Sequence, residues 1–167
     1  MCFNYNMNNG VYIHKFSEVL TNSIGENSSI WQFCVILAGA KIGKNCNICS
    51  HVFIESKVKI GDNVTIKNSN QIWDGMNIGN NVFVGPNVTF LNDAFPRSER
   101  GIQKKFKPQG IVIEDGASIG GGATLLPGIT VGKGAMIGAG AIVTENVAPF
   151  SLYVGPKAKF VKSIAES

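Results

Sequence analysis

Aliphatic residues recur every six positions from Ile24 through Ile30, Ile36, Ile42, Ile48, Ile54, Ile60, Ile66, Ile72 and Ile78 to Val84, and Phe90 closes the run. Four residues after each comes a second position that is mostly small or apolar, with Ser28 and Asn70 as its polar exceptions. A period of six fits neither the 3.6-residue helix nor the two-residue strand alternation. It matches a β-helix whose short strands are joined at corners. Within it lies a longer period: Ile-Gly-x-Asn begins at Ile24, Ile42, Ile60 and Ile78, eighteen residues apart. Three hexads therefore make one turn, and the cross-section is a triangle. Glycine and asparagine return on one corner because both accept the positive φ that a tight corner demands.

A second run, Ile113, Ile119, Leu125, Val131, Ile137 and Val143, resumes the spacing out of phase with the first. The chain thus reads as one all-β domain in five parts: a loose N-terminus (1–12), a first β-helix run (13–94), an extruded loop (95–110), a second run (111–147) and a tail (148–167). Eighteen hexads give about six coils, roughly 29 Å of stack at ~4.8 Å per strand. The tail is expected to finish as an irregular segment or a short helix over 158–165.

Composition follows from this pattern: charged residues are only 16% of the chain and glycine supplies 20 positions, as closely spaced corners require. The net charge is +4, and five of the fifteen cationic residues, Arg97, Arg100, Lys104, Lys105 and Lys107, fall in the loop. Such a run reads either as a solvated loop or as a clamp for a small phosphorylated ligand. No basic stripe interleaved with aromatics points to nucleic acid. No apolar run reaches ~18 residues, and the N-terminus lacks a signal-peptide arrangement, so a cytoplasmic protein is expected. Of the four cysteines, Cys34 and Cys46 occupy the small inward position, and the lone Cys46-x-x-Cys49 lacks the partners of a metal site. No metal is expected.

Stacking residues eighteen apart sorts the corners. One carries the regular Gly-x-Asn column. A second stacks Phe33, His51, Ser69 and Asn87; a third stacks Gly39, Lys57, Gly75 and Asp93 and leads into the loop. Irregular polar residues on these two corners mark them as the place for a site. His51 is the histidine placed for chemistry, either to orient a substrate or to act as a base. Ile119-Gly-Gly-Gly and Ile137-Gly-Ala-Gly leave almost no side-chain bulk at Gly121, Gly122, Ala139 and Gly140. Such a column serves either corner geometry alone or as a smooth wall for an extended ligand.

From Ile13 to Lys162 the chain resembles the hexapeptide-repeat acyltransferases, and this resemblance implies a left-handed parallel β-helix. Three motifs narrow it: Ile72-Trp73-Asp74-Gly75, the segment Val82 to Phe90, and Asn92-Asp93-Ala94-Phe95-Pro96-Arg97-Ser98. They are similar to N-acetyltransferases acting on dTDP-3-amino-3,6-dideoxyhexoses in the synthesis of surface polysaccharides such as O-antigen and S-layer glycans. They also resemble the acetyltransferase half of bifunctional acetyltransferase/ketoisomerase proteins. The resemblance implies acetyl-CoA as co-substrate and a homotrimer with sites between subunits. It places the pantetheine beside Gly121, Gly122, Ala123, Ala139 and Ala141, with Lys157 and Lys159 toward the CoA phosphates. His51, Asn92 and Asp93 are then the candidates for catalysis. Ser69, Trp73, Asn87, Pro96, Arg97 and Ser98 are the candidates for binding the nucleotide-linked amino sugar. A UDP-amino-sugar N-acetyltransferase, an O-acetyltransferase of a small nucleotide-free acceptor, and an inactive structural β-helix are the alternatives.

Overall fold

A computed structural model describes residues 5–6, 9–96, 107–157 and 159–163. The six-residue pattern becomes two-residue strands in which the aliphatic residue is buried and its predecessor faces outward, as in Val35–Ile36, Phe53–Ile54 and Gln71–Ile72. Strands one turn apart pair in parallel and build three faces of a left-handed β-helix of about seven turns. The first face runs from Tyr12–Ile13 through Ser29–Ile30, Asn47–Ile48, Thr65–Ile66, Phe83–Val84 and Ser118–Ile119 to Met136–Ile137. The second begins at Glu18–Val19 and continues to Ile142–Val143, with its ladder interrupted between Gln71–Ile72 and Thr89–Phe90. The third spans Lys41–Ile42 to Thr130–Val131, with single bridges at Ile24 and Val147 closing its ends.

Register shows where the repeat is interrupted. Thr65 pairs with Phe83 eighteen residues on, whereas Phe83 pairs with Ser118, thirty-five residues on. The extrusion therefore adds 17 residues to one turn (35 − 18), and the strands on either side keep their facing. This out-of-phase step is the one that the two hydrophobic runs display.

The ends differ from expectation. Tyr12 pairs with Ser29 and Glu18 with Val35, only seventeen residues on, so the first turn is one residue short. That deletion sets Val19 five residues before Ile24, which hides the first turn from a six-residue count. Val11 is buried, and Tyr5–Asn6 pairs antiparallel with Tyr12–Ile13, so the stack starts before Ile13 and has about seven turns rather than six. At the other end Met136 pairs with Leu152, sixteen residues on. The expected C-terminal helix is instead a strand, Lys159–Ser163, antiparallel to Ser151–Val154. Sheet hydrogen bonds offered by Ser151–Val154 outweigh helix propensity here. Among the described residues there is no helix, and hence none long and apolar enough to cross a membrane.

The interior is a continuous column rich in Ile, Val, Leu and Ala, with Phe90 as its largest fully buried side chain. Cys34 and Cys46 sit within it, and burial pushes both thiols above their ordinary range. The two polar exceptions of the inward column are satisfied between turns. The Ser28 hydroxyl donates to the Gly43 carbonyl and accepts from the Cys46 N–H. Fully buried Asn70 donates to the Lys67 and Gly85 carbonyls and accepts from the Val88 N–H at 3.0 Å.

Candidate active site

Each turn presents two outward positions on the second face, one before its buried residue and one after it. The first column reads Gln71, Thr89 and Thr124; the second reads Trp73, Leu91 and Leu126. Where the ladder is interrupted, the Trp73 indole N–H donates to the Phe90 carbonyl at 2.7 Å. The indole also meets the Phe53 ring edge-on at 5.8 Å. The chain leaves the prism after Leu91, whose N–H still donates to the Leu125 carbonyl, and the base of the extrusion is clamped. The Gln109 N–H donates to the Asn92 carbonyl at 3.0 Å, and Gly110 returns against Gly75 so closely that a Cβ on Gly110 would overlap the Gly75 carbonyl. Close backbone approach of this kind requires glycine. An Asp93 carboxylate oxygen accepts from the Phe95 N–H at 2.9 Å, which turns the outgoing strand.

These elements enclose a cleft of about 460 Å³, with Gln71, Thr89, Trp73, Leu91 and Leu126 as its floor and Asn92, Asp93, Ala94 and Pro96 as a wall. Leu126 and Pro127 contribute from the next turn. The structure thus brings together four residues expected in the site: Trp73, Asn92, Asp93 and Pro96. Arg97 and Ser98, expected beside them, lie outside the described residues. Gln71, Thr89, Leu91, Leu126 and Pro127 escaped the sequence reading. The first four occupy the outward slots that flank each buried second-face residue, a signal that the six-residue pattern already contained, and Pro127 follows one of them into the corner.

His51 is not in this cleft. It lies on the corner between the first and second faces, exposed, with φ 61°, in a column whose left-handed residues continue through Ser69, Asn87, Gly122 and Gly140. Its ring packs on Phe33 at 5.0 Å, and Phe33 in turn stacks on Phe16. The expected residues His51, Ser69, Asn87, Gly121, Gly122 and Ala139 therefore share one corner, at the edge of the second face opposite the extruded wall of the cleft. At Gly122 and Gly140 a Cβ would meet nothing within 4 Å, so that end of the corner is open. Ala123 and Ala141 do not line it. Their methyls are buried in the core, and their carbonyls accept ladder hydrogen bonds from the N–H groups of Thr89 and Thr124. They fill the inward position two residues before a strand's own buried residue, where small side chains fit. Lys157 lies on the hairpin turn and Lys159 on the final strand, both exposed.

A separate hollow of about 410 Å³ on the third face includes Lys59, Asn77, Glu114 and Asp115. Its carboxylates serve the fold: Asp115 accepts from the Asn80 N–H and Glu114 from the Lys133 N–H. We therefore place chemistry at the cleft, where the chain departs from the repeat.

Comparisons with known proteins agree with this architecture. The bacterial transferase hexapeptide, as six repeats, matches residues 23–56 and 110–145. By sequence, no curated protein matches significantly. Among solved structures, the chain is similar to a hexapeptide-repeat containing acetyltransferase from Vibrio cholerae, at 25% identity and TM-score 0.63, over 88% of this chain and 76% of that one. It shares the fold of AntD, an N-acyltransferase from Bacillus cereus solved with dTDP and 3-hydroxybutyryl-CoA. Identity there is 18% and TM-score 0.58, over 93% and 81% of the two chains. A variant of perosamine N-acetyltransferase from Caulobacter crescentus, in complex with CoA and GDP-perosamine, aligns at 18% identity and TM-score 0.51, over 92% and 57%. The chain thus carries bacterial transferase hexapeptide repeats over residues 23–56 and 110–145, and its triangular stack is the fold that these solved acyltransferases share.

Proposed function

We propose that this chain is an acetyl-CoA-dependent N-acetyltransferase that modifies the 3-amino group of a dTDP-linked 3-amino-3,6-dideoxyhexose. In this reading it is a single-domain enzyme that works as a cytoplasmic homotrimer with sites between subunits. Its product serves surface polysaccharide such as O-antigen or S-layer glycan. The observation that carries the reading is the cleft of Trp73, Asn92, Asp93 and Pro96 at the root of the extruded segment. The transferase repeats support acyl transfer, and the nucleotide and CoA ligands of AntD support this pairing of substrates.

The reaction is attack of the neutral sugar amine on the thioester carbonyl. A C–N bond forms, the C–S bond breaks, and the departing CoA thiolate takes the proton that the amide nitrogen sheds. Most of the acceleration comes from holding amine and thioester in line. Backbone N–H groups along the glycine corner at Gly121 and Ala139 steady the developing oxyanion. Asn92 and Asp93 hold the amino sugar, with Arg97 and Ser98 on its diphosphate. Ser69 and Asn87 contact the acceptor from the neighbouring corner, and Lys157 and Lys159 reach the CoA phosphates. His51, packed at a tilt against Phe33 rather than set in the cleft, orients substrate across a subunit boundary.

The test is thiol release from acetyl-CoA with dTDP-3-amino-3,6-dideoxygalactose, its gluco epimer and a UDP-3-amino sugar in parallel. Turnover of either dTDP sugar is the expected result, and His51→Asn should retain activity within about tenfold if no obligatory base is lost. An AntD variant was solved with dTDP-4-amino-4,6-dideoxyglucose, which makes a 4-amino acceptor the second reading and a fourth arm of the assay. Silence with all dTDP sugars, beside turnover of a UDP or nucleotide-free acceptor, would discard the substrate and keep acyl transfer.

A further inference from the structure

The floor of the cleft is sorted by chemistry. Gln71 and Thr89 present polar groups along one column, while Trp73, Leu91 and Leu126 form an apolar strip beside it. The strip is stiff, because Trp73 and Leu126 pack against the core and the indole is tied to the Phe90 carbonyl. We infer that this strip seats the C6 methyl of the acceptor sugar and makes the enzyme selective for 6-deoxyhexoses over their C6-hydroxylated counterparts. The inference rests on the nucleotide-sugar reading above and adds the edge by which the sugar is chosen.

A 6-deoxy sugar has one apolar edge, at C5 and C6, and polar groups elsewhere, which is the division that the floor displays. A C6 hydroxyl turned onto the strip would lose water and meet only hydrocarbon. The indole offers it nothing, since its single N–H is already donated to Phe90. Leu126 and Pro127 carry no side-chain hydrogen-bonding group. Apolar pockets reject an added hydroxyl by up to about a hundredfold, so the selectivity is bounded as well as signed.

The experiment compares kcat/KM for a dTDP-3-amino-3,6-dideoxyhexose with that for the dTDP-3-amino-3-deoxyhexose that keeps its C6 hydroxyl, using the full chain. The wild type should favour the 6-deoxy acceptor by about tenfold to a hundredfold. Leu126→Asn should move the ratio toward one, and Leu126→Met should preserve it. Equal use of both acceptors by the wild type overturns the inference and leaves N-acetyl transfer to dTDP sugars standing. An equal loss for both acceptors in Leu126→Asn, with the ratio unchanged, also overturns it. Turnover of neither dTDP sugar removes the functional reading and this inference together. Because the wild-type ratio is itself decisive, a variant that fails to fold does not shield the idea.

Discussion

Single residues in this chain depart from the repeat for two separable reasons. Asn70 departs for the fold: its amide bridges turns through three hydrogen bonds and is fully buried. Asn70→Ala should leave the Val88 N–H and the Gly85 carbonyl without partners, at about 1–3 kcal/mol for each such group. We expect earlier unfolding in urea, followed by circular dichroism, with activity of the folded fraction unchanged. A variant as stable as wild type would show that water replaces the amide. Trp73 departs for the site, since its indole fills a gap in the ladder at the cleft. From sequence alone both are irregular residues in a regular column, and only their partners tell them apart. His51 shows the limit of that reading. Its left-handed corner was visible from the stacking of Phe33, Ser69 and Asn87, but its distance from the loop motif depends on which corner the chain leaves.

The elements were legible because each strand repeats one instruction: outward residue, buried aliphatic, corner. That instruction fixed the faces and located the extrusion, and it failed only where turns are shortened. The one-residue deletion before Ile24 and the sixteen-residue last turn break the count, so the first turn and the closing strand went unseen. The extrusion depends on its root. Gly110→Ala places a methyl on the Gly75 carbonyl and should force the returning segment away from Trp73 and Asn92. Thiol release should fall by about tenfold or more, as small misplacements in a reactive cleft do. The circular dichroism spectrum should stay that of the wild type, since the stack on either side keeps its register. Wild-type turnover in this variant would mean that the clamp is not needed.

At the scale of the whole molecule, a stack of parallel strands has two open ends, and each is a template for another chain. Here the first face is closed at both ends by a strand that runs backwards: Tyr5–Asn6 on Tyr12–Ile13, and Lys159–Ser163 on Ser151–Val154. Removing residues 149–167 exposes the last parallel edge at Met136–Ile137 and uncovers the core beneath Tyr153. The shortened chain should grow into large species in light scattering, whereas the full chain keeps a fixed mass. A truncated form of unchanged mass would show that the reversed strand is not what closes the stack.

The 17-residue excursion leaves and rejoins the lattice without moving a strand out of line. A segment inserted in this way is a cassette: its length and wording can be rewritten while the scaffold beneath it is untouched. Selection for a new acceptor can thus act on the loop and the few floor residues beneath it, without reopening the folding problem that the repeat has already solved.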